Sequence, residues 1–213
     1  MKGDGLRTSG ASDGARAERR EPVGAQGAPT IKMTSGAGWA AVWGFAEGTF
    51  FFVVPDVLFT RTTLLSMKRG WLQLAAAVIG ATLAGAVMYV WASGSPAQAR
   101  SAVAAVPFLG EKIIAPAERR WNDGGTPSLF SNPLSGVPYK VHAVLAPSHV
   151  SLPAFLLLSL PLRAERMLLS MVVFVPLAMW VRKDEVGRKK IGLRIHLAFW
   201  LLVYAVYWSV NYS

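Results

Sequence analysis

The 213-residue chain is 53% hydrophobic and only 16% charged, and its mean hydropathy is positive. With several long apolar runs, this composition excludes an ordinary soluble domain and indicates an all-α, polytopic integral membrane protein. The net charge of +10 would suit nucleic acid, but most Lys and Arg residues lie beside the apolar runs. That distribution is typical of positive-inside anchoring and contact with anionic lipids. The chain has no cysteine, which excludes disulfides and thiolate sites.

Residues 1–35 are predicted to form a disordered tail, since they are rich in Gly, Ala, Arg and Ser and contain almost no large apolar residue. They also lack the continuous apolar region of a signal peptide. Met33 stands just before the first apolar run and is an alternative start. Residues 36–213 are predicted to form one membrane domain.

The run from Gly36 to Phe59 combines apolar residues with two carboxylates, Glu47 and Asp56, and with Pro55. Ionisable groups at membrane depth are costly and are usually functional. Proline removes a backbone donor and breaks a helix, so we predict a re-entrant hairpin over residues 36–59 with Pro55 as its hinge. The alternative is a kinked spanning helix in which Glu47 is paired internally and Asp56 lies at the interface.

The rest of the chain divides into three apolar spans, an amphipathic segment and a second broken element. Residues 71–92, 153–181 and 191–212 are long enough to span a bilayer. Residues 97–121 mix apolar and charged side chains, which predicts a segment lying on the bilayer surface. Residues 130–152 are apolar but interrupted, which predicts a second re-entrant segment with hinges at Gly136 and Pro138. Pro161 leaves two alternatives for residues 153–181, one tilted helix or a kinked one.

Five charged side chains lie within apolar sequence, and they are the candidate site: Glu47, Asp56, Lys140, Arg163 and Arg166. Buried opposite charges must pair or neutralise. The acids could exchange protons, and the cations could bind an anionic headgroup. A static network that specifies the fold is the alternative. Arg163 and Arg166 share one helix face, whereas Glu165 projects elsewhere.

The remaining titratable groups suggest little chemistry. No catalytic motif occurs, and the three histidines are too scattered to form a ligand set, so no enzyme activity, metal or cofactor is expected. His142 could sense protonation near neutral pH. A hydrogen-bonded or interfacial histidine is the alternative.

Three stretches resemble a known family. FAEGTFFFVVPDV is similar to the first re-entrant motif of the DedA, or VTT-domain, membrane proteins, also described as SNARE-associated. GATLAGAVMYVW resembles the small-residue helix that follows in that family, with Tyr89 in its tyrosine position. NPLSGVPYKVHAVLAP resembles the second re-entrant motif, with Lys140 in place of the usual arginine. The resemblance extends from Trp39 to Val181 and indicates a divergent branch.

The resemblance implies a lipid transporter or scramblase, with the proton coupling that has been proposed for bacterial members. It implies that Glu47 and Asp56 are the acidic pair and that Lys140 is the loop cation, whereas the roles of Arg163 and Arg166 are inferred from this sequence alone. The expected partners are membrane lipids with anionic headgroups, with homo-oligomerisation left open. The expected location is a bacterial inner (plasma) membrane. The alternative function is a non-transporting membrane assembly or stress-tolerance protein.

The two basic connections predict the topology, because Lys and Arg near the ends of spans favour the cytoplasmic side. Arg61 to Arg69 and Arg182 to Lys190 should both face the cytoplasm, and Gly94 to Thr126 should face out. A Ser66→Cys variant should therefore react with an impermeant maleimide only after the cells are permeabilised. Labelling of this variant in intact cells would show that the orientation is the opposite of the predicted one.

Overall fold

A computed structural model describes residues 35–51, 53–107, 109–126, 137–183 and 187–212. Within these ranges the chain is helical and contains no β-strand. Residues 1–34 and the predicted hinge Gly136 lie outside the described residues, so the tail prediction and that hinge remain untested. The helices are α1 (Ser35–Thr49), α2 (Asp56–Leu65), α3 (Met67–Gly94), α4 (Pro96–Ala104), α5 (Glu111–Gly124), α6 (Tyr139–Leu145), α7 (Leu152–Val181) and α8 (Gly187–Tyr212).

Three of the described helices are long and apolar enough to cross a membrane, which confirms the predicted all-α membrane fold. They are α3, with 28 residues, α7, with 30 residues, and the first 23 residues of α8. Each helix contains one of the predicted spans and extends it by one to four residues at one or both ends. α7 is one continuous helix that passes through Pro161 and Pro176, so Pro161 does not divide it.

The first apolar run is broken where Pro55 predicts a break. α1 ends at Thr49 after 15 residues, and α2 begins at Asp56, directly after Pro55. Since a span needs about 20 residues, the described part of α1 is too short to cross a bilayer alone. Re-entry of this segment into the bilayer stays a prediction.

The two limbs of this broken segment run in opposite directions along α3. α1 runs parallel to α3, because Gly36 lies against Gln73 and Gly48 lies against Ala84. α2 then returns, and its last turns contact Gly70 near the start of α3. The arrangement is a hairpin whose two outer ends lie beside the same end of α3.

Small residues allow α1 and α3 to pack closely. Gly36, Ala40, Gly44 and Gly48 recur at every fourth position and therefore share one face of α1. A Cβ atom at Gly44 would overlap the backbone of Ala77 on α3. This is the small-residue contact that brings membrane helices together when apolar burial alone cannot.

The amphipathic segment predicted over residues 97–121 folds differently from the prediction. It forms two helices, and its large apolar residues pack into a protein core with α6. Val103, Ile114 and Trp121 are at most 2% exposed. Arg100 links the two helices through Glu111 (2.9 Å) and Glu118 (2.7 Å). The apolar face is therefore covered by protein rather than by lipid, because α6 offers it an apolar surface.

The second broken element contains the short helix α6, which packs against α4 and α5. Pro138 precedes α6, and a turn over Ala146–Ser148 separates α6 from α7. The Tyr89 hydroxyl donates to the Val150 carbonyl at 2.6 Å, which ties α3 to the connection before α7. Pro138 thus marks the start of α6, whereas its role as the hinge of a re-entrant segment stays a prediction.

Replacing Gly44 with Ala should destabilise the protein, because the added Cβ has no room against the Ala77 backbone. Overpacking of this kind costs about 1–3 kcal/mol of unfolding free energy. Gly94→Ala is the matched control, since a Cβ there meets no atom within 4 Å, and we expect a change below about 0.5 kcal/mol. Thermal unfolding in detergent measures both variants. Equal stability of the two would contradict the packing described.

Candidate functional site

The five charged residues identified in the sequence surround one cavity of about 320 Å³. Glu47 and Asp56 lie on either side of the break between α1 and α2, Lys140 lies on α6, and Arg163 and Arg166 lie on α7. Aromatic and aliphatic side chains complete the wall. Those from α8 are Trp200, Val203, Tyr204 and Tyr207.

Glu47 and Arg163 form a tightly buried ion pair. The Arg163 guanidinium donates to a Glu47 carboxylate oxygen. The Arg163 side chain is only 4% exposed and the Glu47 side chain only 8%. The guanidinium also lies over the ring of Tyr139, 4.9 Å from its centroid. Such a pair joins α1 to α7, and loss of either partner would leave an uncompensated buried charge.

Asp56 and Arg166 form a looser pair. Their closest nitrogen and oxygen atoms are 3.4 Å apart, and the Arg166 side chain is 30% exposed. The Ser170 hydroxyl donates to the other Asp56 oxygen at 2.6 Å. Asp56 also lies in the first turn of α2, where the helix dipole favours a negative charge. The Asp56 carboxylate is therefore well held without Arg166, which leaves that cation available to a second anion.

The backbone of the break is held by side chains from three other elements. Helix breaks at membrane depth are tolerated where their free polar groups are satisfied, and three of them are satisfied here. The bonds run from Lys140 Nζ to the Phe51 carbonyl (2.7 Å), from Trp43 Nε1 to the Val53 carbonyl (2.9 Å) and from the Val54 amide to Tyr204 Oη (2.9 Å). Lys140 therefore serves the backbone as well as the charge balance of the cavity.

The charges that line the cavity do not cancel. Among the described residues that line it, three cations (Lys140, Arg163 and Arg166) face two carboxylates (Glu47 and Asp56), which leaves one positive charge in excess. Within the described part of the chain, Nε of Arg163 and Nε of Arg166 also lack a hydrogen-bond acceptor. The site thus offers more donors and positive charge than its own acids use, which favours an anion.

His142 is among the residues that line the cavity, but its contacts do not suit the hypothesis of a sensor near neutral pH. The Trp121 indole N–H donates to Nδ1 of His142 at 3.2 Å. That nitrogen must be unprotonated to accept this bond, so the ring is neutral and its Nδ1 is satisfied. The alternative of a hydrogen-bonded structural histidine describes His142 better.

Sequence reasoning missed several polar residues of the site, among them Ser170 and Tyr204. Ser170 follows Arg166 by four positions, so helical spacing places it on the same face and could have identified it. Tyr204 was counted only among the aromatic residues of the last span, and no local pattern marks its bond to Val54. Thr60 on α2 was also missed. Its hydroxyl contacts two side chains of α8, His196 at Nε2 (3.0 Å) and Trp200 at Nε1 (3.3 Å).

The fold and the site define an all-α integral membrane protein with a charged cavity among its helices. No family model, curated protein or solved structure matches the chain. The assignment of function therefore rests on the geometry and on the resemblance of the motifs.

The two ion pairs should respond differently to neutralisation. Glu47→Gln leaves Arg163 buried and unpaired, which we expect to cost about 3–5 kcal/mol of unfolding free energy. Asp56→Asn keeps the bond from Ser170 and leaves a partly solvated Arg166, for which we expect about 1 kcal/mol. Thermal unfolding in detergent compares the two variants.

A double variant provides the control for this prediction. Glu47→Gln combined with Arg163→Met removes both charges and should recover most of the stability, because neutral replacement of a buried pair is often tolerated. Equal losses for Glu47→Gln and Asp56→Asn would refute the distinction between a tight pair and a loose pair.

Proposed function

We propose that this protein moves lipids across or between membrane leaflets, as a transporter or scramblase of DedA type, and that its cavity receives an anionic headgroup. The observation that carries the proposal is the excess positive charge of a cavity enclosed by the helices of a membrane protein. Charges at this depth are rare and usually mark a substrate or ion path. The geometry and the motif resemblance support the same class of function.

The size and lining of the cavity suit a headgroup rather than a whole lipid. Its volume of about 320 Å³ is at the lower end of small-molecule sites. Val106, Leu109 and Val203 line it together with the charged residues, so apolar and polar surfaces meet there. In this proposal the headgroup enters the charged part, and the acyl chains stay outside against apolar surface.

Arg166 is the residue proposed to bind the headgroup, and Asp56 is the residue whose ion pair with Arg166 is proposed to break when the headgroup binds. Arg166 is the more exposed of the two cavity arginines, and its bond to Asp56 is long. An anionic oxygen at Arg166 would compete with Asp56 for the guanidinium. Asp56 would then keep the bond from the Ser170 hydroxyl but lose its cation. The proton coupling that the family resemblance implies would act at this carboxylate, so that headgroup binding and coupling depend on one arginine.

Glu47 and Lys140 have supporting roles in this proposal. Glu47 neutralises Arg163 and fixes α1 against α7. Lys140 holds the Phe51 carbonyl at the break and supplies the charge that makes the cavity positive. Both residues keep the two halves of the hairpin in place while Arg166 exchanges partners.

A second function is a membrane assembly or stress-tolerance protein whose charges are purely structural. The Glu47–Arg163 pair favours it, because both side chains are at most 8% exposed and buried pairs specify one arrangement of helices in some proteins. In that case neutralising Asp56 or Arg166 would change stability but no transport step.

Reconstitution into liposomes with fluorescent lipids separates the two functions. The wild-type protein should accelerate movement of the labelled lipids between leaflets, and Arg166→Gln and Asp56→Asn should each reduce that rate at least tenfold while remaining folded in detergent. Arg194→Gln is the matched control, since Arg194 is exposed on α8 and does not line the cavity, and it should keep the wild-type rate.

If the wild-type protein leaves lipid movement at the level of empty liposomes, the transport proposal is wrong. If Arg166→Gln and Asp56→Asn move lipids at the wild-type rate, the cavity charges are structural.

A further inference from the structure

Glu165 is a carboxylate on the outward face of a spanning helix, and nothing in the site described above uses it. It lies thirteen residues after Leu152 and sixteen before Val181, close to the middle of α7. It follows Arg163 by two positions, which corresponds to about 200° around a helix. Arg163 points into the protein, and Glu165 is exposed on the opposite side.

Packing contacts show that Glu165 lies at mid-depth. Met167, two residues further along α7, belongs to the same buried cluster as Ala77 and Ala81. These two alanines lie near the centre of α3, another spanning helix. Glu165 is thus far from both ends of the helices, where a carboxylate could reach water.

The surface around Glu165 is apolar. Its exposed neighbours on α7 are Leu157 (71%), Leu168 (39%), Leu169 (44%) and Val172 (68%). In the described part of the chain no cation lies within ion-pair distance of Glu165. Charged groups within spanning helices almost always face the protein interior or a wet cavity and are paired. A carboxylate that faces lipid without a partner is costly, and a partner that covers it would remove that cost.

A second copy of this chain does not supply the missing charge. The cations that the structure describes at this depth are Lys140, Arg163 and Arg166, and all three line the cavity. A second copy with the same topology would bring another Glu165 to the same level. Charge complementarity therefore requires a different molecule that carries a cation at mid-depth.

We propose that the outward face of α7, formed by Leu157, Glu165, Leu168, Leu169 and Val172, binds a membrane-spanning helix of another protein that carries a lysine or arginine near its centre. The apolar residues would pack against that helix, and Glu165 would pair with its cation. The ion pair would fix both the choice of partner and its depth, since a shift of one turn would separate the charges. This interface does not depend on the transport proposal.

Synthetic spanning peptides test the interface with the whole protein. The chain has no cysteine, so Ser66→Cys accepts a single fluorescent donor, and two leucine-rich peptides carry the acceptor, one with a central lysine and one with leucine at that position. In liposomes the lysine peptide should bind at least tenfold more tightly, as measured by energy transfer. Glu165→Gln should remove the preference, and Glu165→Asp should retain part of it.

Controls distinguish this interface from general effects of charge or folding. Glu111→Gln changes a carboxylate on α5 that is 63% exposed and should keep the full preference for the lysine peptide. Glu165→Gln should unfold at the wild-type temperature, because the described structure gives Glu165 no partner to lose. Equal binding of both peptides would overturn the proposal. Energy transfer between two labelled copies that depends on Glu165 would also overturn it, because the occupant would then be a second copy.

Discussion

The break between α1 and α2 is the constraint on which the rest of the structure depends. Backbone that leaves a helix at membrane depth exposes donors and acceptors that lipid cannot satisfy. Here the side chains of Lys140, Trp43 and Tyr204 satisfy three of them. Because these residues belong to α6, α1 and α8, the need to satisfy one broken segment also positions three helices around it. The cavity lies where those helices meet.

The same break separates the two acids so that α7 can reach both of them. Arg163 and Arg166 share a face, so the helix presents one cation to Glu47 and another to Asp56. The two pairs differ in burial, however. The buried pair joins α1 to α7, whereas the partly exposed Arg166 is the arginine proposed to exchange its partner.

α7 carries charge on two opposite faces. On the inward face the arginines are balanced by acids and by the Ser170 bond to Asp56. On the outward face Glu165 lies among exposed apolar residues without a cation in the described structure. α7 thus contributes both to the cavity proposed to bind an anion and to the surface proposed to bind a cation, and the two features can be changed separately by mutation.

The sequence by itself determined the helical class, the three spans, the break at Pro55 and the identity of the charged residues, because apolar length and proline geometry are local properties. Tertiary structure decided which charges meet, since Arg166 and Asp56 are 110 residues apart and Val54 and Tyr204 are 150 apart. It also decided what the apolar side of residues 97–121 packs against, since their amphipathic pattern fits lipid and protein equally well. Their apolar face is buried by α6, and a helical pattern cannot specify which surface will cover it.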